Sequence, residues 1–138
     1  MPESRLHLEI VTPDKILLSE DVDSFEATGT DGEFQILAGH TPFLTGLRIG
    51  HVFYTVSHQK KYISISGGFC EVKENRAVII AHTAENASEI DKTRAEEAKK
   101  RAETRLDGKD IQNIDQERAK LAMLRALNRL GVAELQSG

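Results

Sequence analysis

The chain has 138 residues, which is enough for one domain or for one domain with a small appendage. Its net charge of −4 excludes a global basic field that would recruit nucleic acid, and no apolar run approaches the roughly 18 residues of a membrane span. The single cysteine, Cys70, excludes an internal disulfide and fits a reducing compartment, and Met1–Ser4 has none of the features of a secretory signal.

Residues 1–84 have the pattern of an antiparallel β domain. Leu6, Leu8 and Ile10 alternate with polar residues, as in a half-buried strand, and Thr12–Lys15 reads as a turn containing Pro13. Further short apolar runs follow, separated by turn signals about every 8–12 residues. This spacing predicts an antiparallel β-sandwich or barrel.

The stretch from Gly32 to Leu44 is the most unusual part of this domain. An alternating run ends at Leu37, after which Gly39 permits a break and Pro42 sets a second bend. The residues that follow are more apolar than an ordinary exposed loop, namely Phe43, Leu44, Leu47 and Ile49. We predict a loop that packs, which is either a β-arch closing the sandwich or a functional loop on a rigid scaffold.

The composition changes near residue 85, where alanine and charged residues take over. Ser88 and Asp91 fit a capping box with Ser88 as the N-cap. The predicted boundaries are a first helix ending near Leu106, a stop at Asp107–Asp110, and a second helix from about Ile111 or Asn113 to Leu135. A short connection makes the two helices antiparallel neighbours, so residues 85–138 are predicted to form a helical hairpin separate from residues 1–84.

The facing surfaces of this hairpin are rich in alanine. The predicted seam consists of Ala95, Ala98, Ala102 and Leu106 on the first helix and of Ala119, Met123, Ala126, Leu130 and Ala133 on the second. Small residues bury little apolar area, so such a seam is weaker than a leucine seam. The hairpin is therefore either loosely held or plainly and permanently packed.

The second helix carries a basic stripe. Arg125 and Arg129 each fall within about 20° of Arg118 on a helix of 3.6 residues per turn, and Leu121 and Leu124 flank the three arginines. The stripe is either a solvated face or a binding face, whose complement would be an acidic surface or a phosphate.

No pattern for catalysis is present in the sequence. There is no phosphate-binding loop of the Walker type, the five histidines lack metal-ligand spacing, and Cys70 has no second cysteine for a metal site. Cys70 lies between Phe69 and Val72 on a predicted strand, which favours a packed thiol over a nucleophile. We therefore expect a binding protein without a metal site or an active site.

Four motifs, taken in order, closely resemble the epsilon subunit of the bacterial F-type ATP synthase. They are Val11–Pro13, Gly32–Pro42, Ser66–Val72 and Ala126–Glu134, and the likeness extends over nearly the whole chain. The resemblance implies a β-sandwich of about ten strands followed by two C-terminal helices. It also implies a protein that is not itself an enzyme.

By the same resemblance the chain would sit on the central stalk, bound to the gamma subunit and touching the c-ring. His40 and Thr45 would face gamma, and Glu33 would face the c-ring. The hairpin would permit ATP hydrolysis when folded on the sandwich and block rotation when extended. In the extended state Arg118, Arg125 and Arg129 would meet the beta subunit in the alpha-beta hexamer.

Some bacterial members of this family bind ATP on the folded hairpin through an Ile/Leu-Asp-x-x-Arg-Ala motif, which Ile90–Ala95 matches in full. The resemblance therefore implies a regulatory ATP site, with no cofactor otherwise required. Its residues would be Glu85, Ile90, Asp91, Arg94, Arg125 and Arg129. The alternative is structural: Asp91 caps the helix and Arg94 pairs with a neighbouring acid.

These implications define two classes of function. The first is a regulatory central-stalk subunit, peripheral on the cytoplasmic face of the bacterial plasma membrane and attached to the membrane only through the complex. The alternative is a free-standing β-sandwich adaptor with a nucleotide-binding hairpin. Neither class involves nucleic acid.

Overall fold

The computed structural model describes residues 5–108 and 113–137, apart from the side chains of Asn113, Ile114 and Ser137. Within them the chain forms strands first and helices afterwards. The strands are β1 (Leu6–Val11), β2 (Ile16–Val22), β3 (Ser24–Gly29), β4 (Gly32–Leu37), β5 (Phe43–Val56), β6 (Gln59–Lys73), β7 (Arg76–Ala81) and β8 (Ala84–Asn86). A 3₁₀ turn at Ala87–Glu89 leads to α1 (Lys92–Leu106), and α2 spans Asn113–Ser137.

The strands form one hydrogen-bonded sheet that surrounds the buried core. The strand order is β2-β1-β7-β6-β5-β3-β4, and β8 pairs with β6 beside the main path. All pairs are antiparallel except β1 with β7. The alternation predicted from the sequence holds in β1, where Leu6, Leu8 and Ile10 are fully buried. The predicted fold class, a β-sandwich followed by two helices, is confirmed.

Two long strands link the layers of the sandwich. The register of β5 with β6 skips one residue on each strand between the pairs Leu47–Gly68 and Ile49–Ser66. Gly68 has a φ of +149°, and a Cβ at this position would collide with the Ile80 carbonyl. Gly67 and Gly68 therefore lie within one bent strand rather than between two. Because β5 and β6 each serve both layers, the described residues contain eight strands rather than about ten.

The predicted packed loop is shorter than expected. Only Ala38–Pro42 is irregular, and Phe43–Ile49 forms the first part of β5, so the prediction of a loop over these residues is wrong. Gly39 has the expected positive φ, and its N–H donates to Asn75 Oδ1 at 2.6 Å. The apolar character of Phe43–Ile49 therefore reflects sheet pairing rather than loop packing.

The start of α1 also differs from the prediction. Asp91, not Ser88, is the N-cap, and its carboxylate accepts a hydrogen bond from the Arg94 backbone N–H at 3.1 Å. The predicted capping box is therefore wrong, because Ala87–Glu89 forms a 3₁₀ turn and the helix starts after it. The predicted end of the helix at Leu106 is confirmed, whereas Lys109, Asp110 and Ile111 lie outside the described residues.

The alanine seam forms as predicted. Its fully buried members are Ala95, Ala102, Ala119, Ala126 and Ala133, and its half-buried members are Ala98, Leu106, Met123 and Leu130. The two helices pack against each other, and α2 also packs against β5, β6 and the 3₁₀ turn. Within the described ranges, no helix is both long and apolar enough to cross a membrane.

Candidate functional site

The second helix is fastened to the sandwich by a half-buried asparagine. Asn128 Nδ2 donates to the Gly50 carbonyl at 2.7 Å and to Ser64 Oγ at 3.1 Å, with the Ile65 carbonyl at 3.5 Å. These acceptors belong to both β5 and β6. One side chain of α2 therefore bridges the two long strands at the point where the helix crosses them.

A small apolar cluster lies beside this contact. Ala87 and Ile90, from the connection before α1, pack with Val132 and Ala133 of α2 and with the partly buried Tyr62 of β6. The Tyr62 N–H also donates to Gln136 Oε1 at 3.0 Å. Ile90, predicted as a nucleotide contact, is thus 8 % exposed and belongs to the contact between hairpin and sandwich.

An ion pair forms the third contact. Arg129 donates through Nε to Glu85 Oε1 at 2.8 Å and through Nη2 to Glu85 Oε2 at 3.0 Å. Both side chains are about one-third exposed. A partly exposed pair of this kind contributes roughly 0.2–1 kcal/mol, and its two-pronged geometry places it toward the upper end. A ligand of comparable charge could therefore replace Glu85 at small cost.

The ion pair lies in the wall of a cavity of about 580 Å³ between the hairpin and the sandwich. Charged lining residues are Lys15, Glu85, Glu89, Arg125 and Arg129. Ala98 of α1 also lines the cavity, and Arg94 and Asp91 lie four and seven positions before it. Arg94 lies one helical turn before Ala98 and shares its helix face, whereas Asp91 precedes the helix as its N-cap. The fold brings Glu85, Arg125 and Arg129 around one space, whereas Asp91 and Arg94 are not among the residues that line it.

The arginine stripe is divided by this arrangement. Arg118 and Arg125 are exposed, whereas Arg129 is half-buried and engaged by Glu85. Leu121 and Leu124, which flank the stripe, are 45 % and 52 % exposed. A face with two exposed cations and exposed leucines can contact another surface without first leaving the sandwich.

The other predicted contact residues lie on separate elements. His40 is in the short loop, where its ring contacts Phe43 at a centroid distance of 5.7 Å and Nδ1 lies 2.7 Å from the Thr41 carbonyl. Thr45 is half-buried on β5 and donates to the Gly46 carbonyl. Glu33 is exposed on β4, the edge strand. Their roles toward gamma and the c-ring stay predictions.

The described residues offer little that could act as a nucleophile. Burial, with a smaller contribution from Glu71, raises the pKa of the Cys70 thiol to about 12, so it is not a thiolate at neutral pH. His7 Nδ1 lies 2.9 Å from Asp21 Oδ1, and His7 Nε2 lies 3.0 Å from Ser19 Oγ. The imidazole therefore stands between a carboxylate and a hydroxyl, as it does in the Ser-His-Asp triad of hydrolases. These residues lie on the outer face of a sheet rather than in the cavity. Within the described ranges, no cluster of metal-ligating side chains occurs.

The sequence patterns do not single out Asn128 or Gln136 as contact residues. Only the residue type gave a weak indication. Asparagine has a low helix propensity, yet Asn128 lies in the interior of a predicted helix among apolar residues. A polar side chain that lowers helix propensity at such a position is consistent with a tertiary hydrogen bond.

Two family models match the chain in succession. The model described as ATP synthase, Delta/Epsilon chain, beta-sandwich domain matches residues 5–87. The model described as ATP synthase, Delta/Epsilon chain, long alpha-helix domain matches residues 88–134. Together they cover almost all of the chain.

Curated bacterial relatives match over nearly their full length. An ATP synthase epsilon chain of Nitratidesulfovibrio vulgaris is 47 % identical over 130 residues, covering 94 % of this chain and 96 % of the relative. One from Staphylococcus haemolyticus is 42 % identical, with 96 % and 99 % coverage. One from Geobacter sulfurreducens is also 42 % identical, with 94 % of each chain covered.

Two solved structures share the fold at low identity. A chain in the mitochondrial ATP synthase OSCP/F1/c-ring structure of Euglena gracilis has a TM-score of 0.81 and 22 % identity, covering 98 % of this chain and 89 % of that one. A chain in the central stalk/c-ring structure of Tetrahymena thermophila has a TM-score of 0.63 and 14 % identity, with 96 % and 99 % coverage.

Proposed function

Because the chain belongs to the ATP synthase delta/epsilon family and is a non-catalytic accessory subunit, we propose that it links the gamma subunit to the c-ring and inhibits ATP hydrolysis through its hairpin. The observation that carries this proposal is the mode of attachment of α2. A few polar contacts and one small apolar cluster hold the helix on the sandwich. Such an attachment can be released without unfolding the sandwich core.

The sandwich is proposed to make the contacts that do not depend on the hairpin. The His40 loop and Thr45 face gamma, and Glu33 on the exposed edge strand faces the c-ring. Two separate contacts are supported by the position of Glu33 on β4, while His40 lies in the loop after it and Thr45 lies on β5. The chain would then be held at the cytoplasmic face of the bacterial plasma membrane by its neighbours.

The hairpin is proposed to inhibit when it leaves the sandwich. Released from Glu85, Arg129 would join Arg118 and Arg125 on one helix face, and the three would bind an acidic segment of the beta subunit. In the folded state the Glu85 carboxylate competes for Arg129. The same arginine therefore serves the folded state and the extended state in turn.

The ATPase rate of a matching alpha-beta-gamma assembly tests this proposal. Titration with the full chain is expected to lower the rate to a saturating minimum, because an extended hairpin blocks rotation. Replacing Arg118 and Arg125 by Ala, which leaves the Glu85–Arg129 pair intact, should weaken inhibition. Full activity at saturating chain would contradict an inhibitory role, and failure to bind the assembly at all would favour the free-standing adaptor.

We further propose that ATP binds in the cavity and favours the folded hairpin. The cavity volume of about 580 Å³ lies within the usual range for small-molecule sites. Arg125 and Arg129 supply phosphate-binding guanidinium groups, and Arg94 projects from the first turn of α1. ATP bound there would take Arg129 from Glu85 while bridging α1, α2 and β8.

Loss of one guanidinium should weaken ATP binding by roughly ten- to a hundredfold, since a hydrogen bond to a charged group contributes about 1.5–3 kcal/mol. Isothermal titration of Arg125→Ala and Arg94→Ala with ATP measures this effect. Lys120→Ala is the matched control, because Lys120 is exposed on the same helix and pairs with Glu117 at the surface. Unchanged affinity in both arginine variants would exclude this cavity as the ATP site.

A further inference from the structure

One cation of the cavity between hairpin and sandwich lies outside the ATP motif and outside both helices. Lys15, in the turn between β1 and β2, lines this cavity from the sandwich side. The other charged lining residues are Arg125 and Arg129 of α2, Glu85 of β8 and Glu89 of the 3₁₀ turn. The two arginines balance the two glutamates in formal charge, so the net positive charge of the lining comes from Lys15.

The charged groups of the lining differ in the partners that the protein gives them. Glu85 accepts both hydrogen bonds of Arg129, and Glu89 accepts one at 2.7 Å from the side-chain amide three residues before it. Among the described residues, no ion pair involves Lys15 or Arg125. Two cations therefore border the cavity without an acidic partner, and their charge is available to an anionic ligand.

The turn that carries Lys15 is held by the side chain of Thr12. The Thr12 N–H donates to the Lys15 carbonyl at 2.9 Å, and Thr12 Oγ1 accepts from the N–H groups of Asp14 and Lys15, both at 3.3 Å. Thr12 is 9 % exposed, and Pro13 fixes one φ angle within the turn. The Asp14 side chain is exposed and does not line the cavity. The backbone of Lys15 is therefore fixed, although its side chain is exposed.

A β-bulge directly after this turn brings a second side chain of the sandwich to the cavity. The register of β1 with β2 changes between Ile10 and Val11, and Leu17 is the extra residue on β2. Bulges redirect side chains and are frequent beside functional sites. Leu17 lines the cavity together with Lys15. The turn and the bulge thus place one cationic and one apolar side chain on the same wall, which suits a ligand with a charged and an apolar part.

We propose that Lys15 is the phosphate contact that the sandwich supplies to ATP bound in this cavity. This inference rests on the proposed ATP site and adds to it a residue outside its motif. With Arg125 on α2 and Lys15 on the sandwich, the polyphosphate spans the boundary that separates when the hairpin is released. ATP then links helix and sandwich directly, and a ligand that binds only the folded state stabilises that state by its binding free energy.

Isothermal titration with ATP compares the wild-type chain with Lys15→Ala, Lys15→Arg and Lys73→Ala. Lys73 is the matched control, because it is exposed on β6 and lies outside the cavity. We expect Lys15→Ala to weaken ATP binding about tenfold and Lys15→Arg to keep it within about threefold, because arginine also binds phosphate. The difference between the wild-type chain and Lys15→Ala should shrink in added salt, which screens exposed charges. Thermal melts verify that each variant keeps the fold.

Hydrogen exchange distinguishes a link between sandwich and ligand from a general effect of charge on the cavity. At saturating ATP the α2 amides of the wild-type chain should exchange more slowly than without ATP. Lys15→Ala, also saturated with ATP, should show less of this protection, because the ligand then holds α2 without the turn. Lys73→Ala should show the wild-type protection.

The inference and the proposed ATP site fail in different ways. Equal ATP affinity in Lys15→Ala and Lys73→Ala, with binding by the wild-type chain intact, overturns the inference and leaves the ATP site standing. Weaker binding with wild-type protection of α2 at saturation also contradicts it, because ATP would then hold the hairpin without Lys15. A wild-type chain that binds no ATP at millimolar concentration refutes the proposed ATP site, and the inference falls with it.

Discussion

Oxidation of an S64C/N128C variant should abolish inhibition of ATP hydrolysis by this chain, and reduction should restore it. Asn128 Nδ2 and Ser64 Oγ are 3.1 Å apart, so the two side chains point at each other across the contact between α2 and β6. A disulfide there holds α2 on the sandwich and removes the extended state. Because inhibition requires extension, the expected effect is complete loss rather than a shift in affinity.

The natural cysteine does not interfere with this experiment. Cys70 is fully buried and has a strongly raised pKa, so the oxidant is not expected to reach it in the folded chain. The two single-cysteine variants under the same oxidant are the controls. Co-elution of the oxidised form with the assembly shows that binding is retained. An oxidised chain that binds and inhibits as well as the reduced one would show that the hairpin acts without leaving the sandwich.

Replacing Asn128 by Ala should shift the hairpin toward the released state by roughly 5- to 150-fold. The substitution leaves the Gly50 carbonyl and the Ser64 hydroxyl without their donor, which costs about 1–3 kcal/mol when the groups are partly buried. Asn128→Asp should have a larger effect, because it places a carboxylate against the Gly50 carbonyl oxygen. The sandwich core is untouched, since Asn128 makes no part of it.

Hydrogen exchange measures this shift directly. Faster exchange is expected in the α2 amides, while those of β5 and β6 away from the contact keep their protection. Lys120→Ala is again the matched control, because it removes an exposed side chain from the same helix. In the ATPase assay the Asn128 variants should inhibit at lower concentration than the wild-type chain. If α2 exchanges at the wild-type rate in both variants, the Asn128 contact does not govern release.

The predictions that succeeded rest on local periodicity. The alternation of Leu6, Leu8 and Ile10 depends only on the two-residue period of a strand, and the seam of Ala95, Ala102 and Ala119 depends only on the helical period. The motifs that carried the family resemblance are likewise continuous segments. These features needed no knowledge of how distant segments pack.

The predictions that failed concern places where local pattern and tertiary context compete. Ser88 is a good N-cap by type, but the 3₁₀ turn ends before α1 begins at Asp91. Phe43–Ile49 looked like an apolar loop because its partners on β6 lie 17 to 29 residues further along the chain.

By itself the sequence determined the fold class, the alanine seam and the family, because each follows from segments that interact within a few turns or strands. Only the tertiary structure decided how the hairpin is attached. Glu85 and Arg129 are 44 residues apart, and Asn128 and Gly50 are 78 apart. Contacts between residues so far apart produce no periodic pattern in the sequence, because they depend on how a whole helix packs against a sheet.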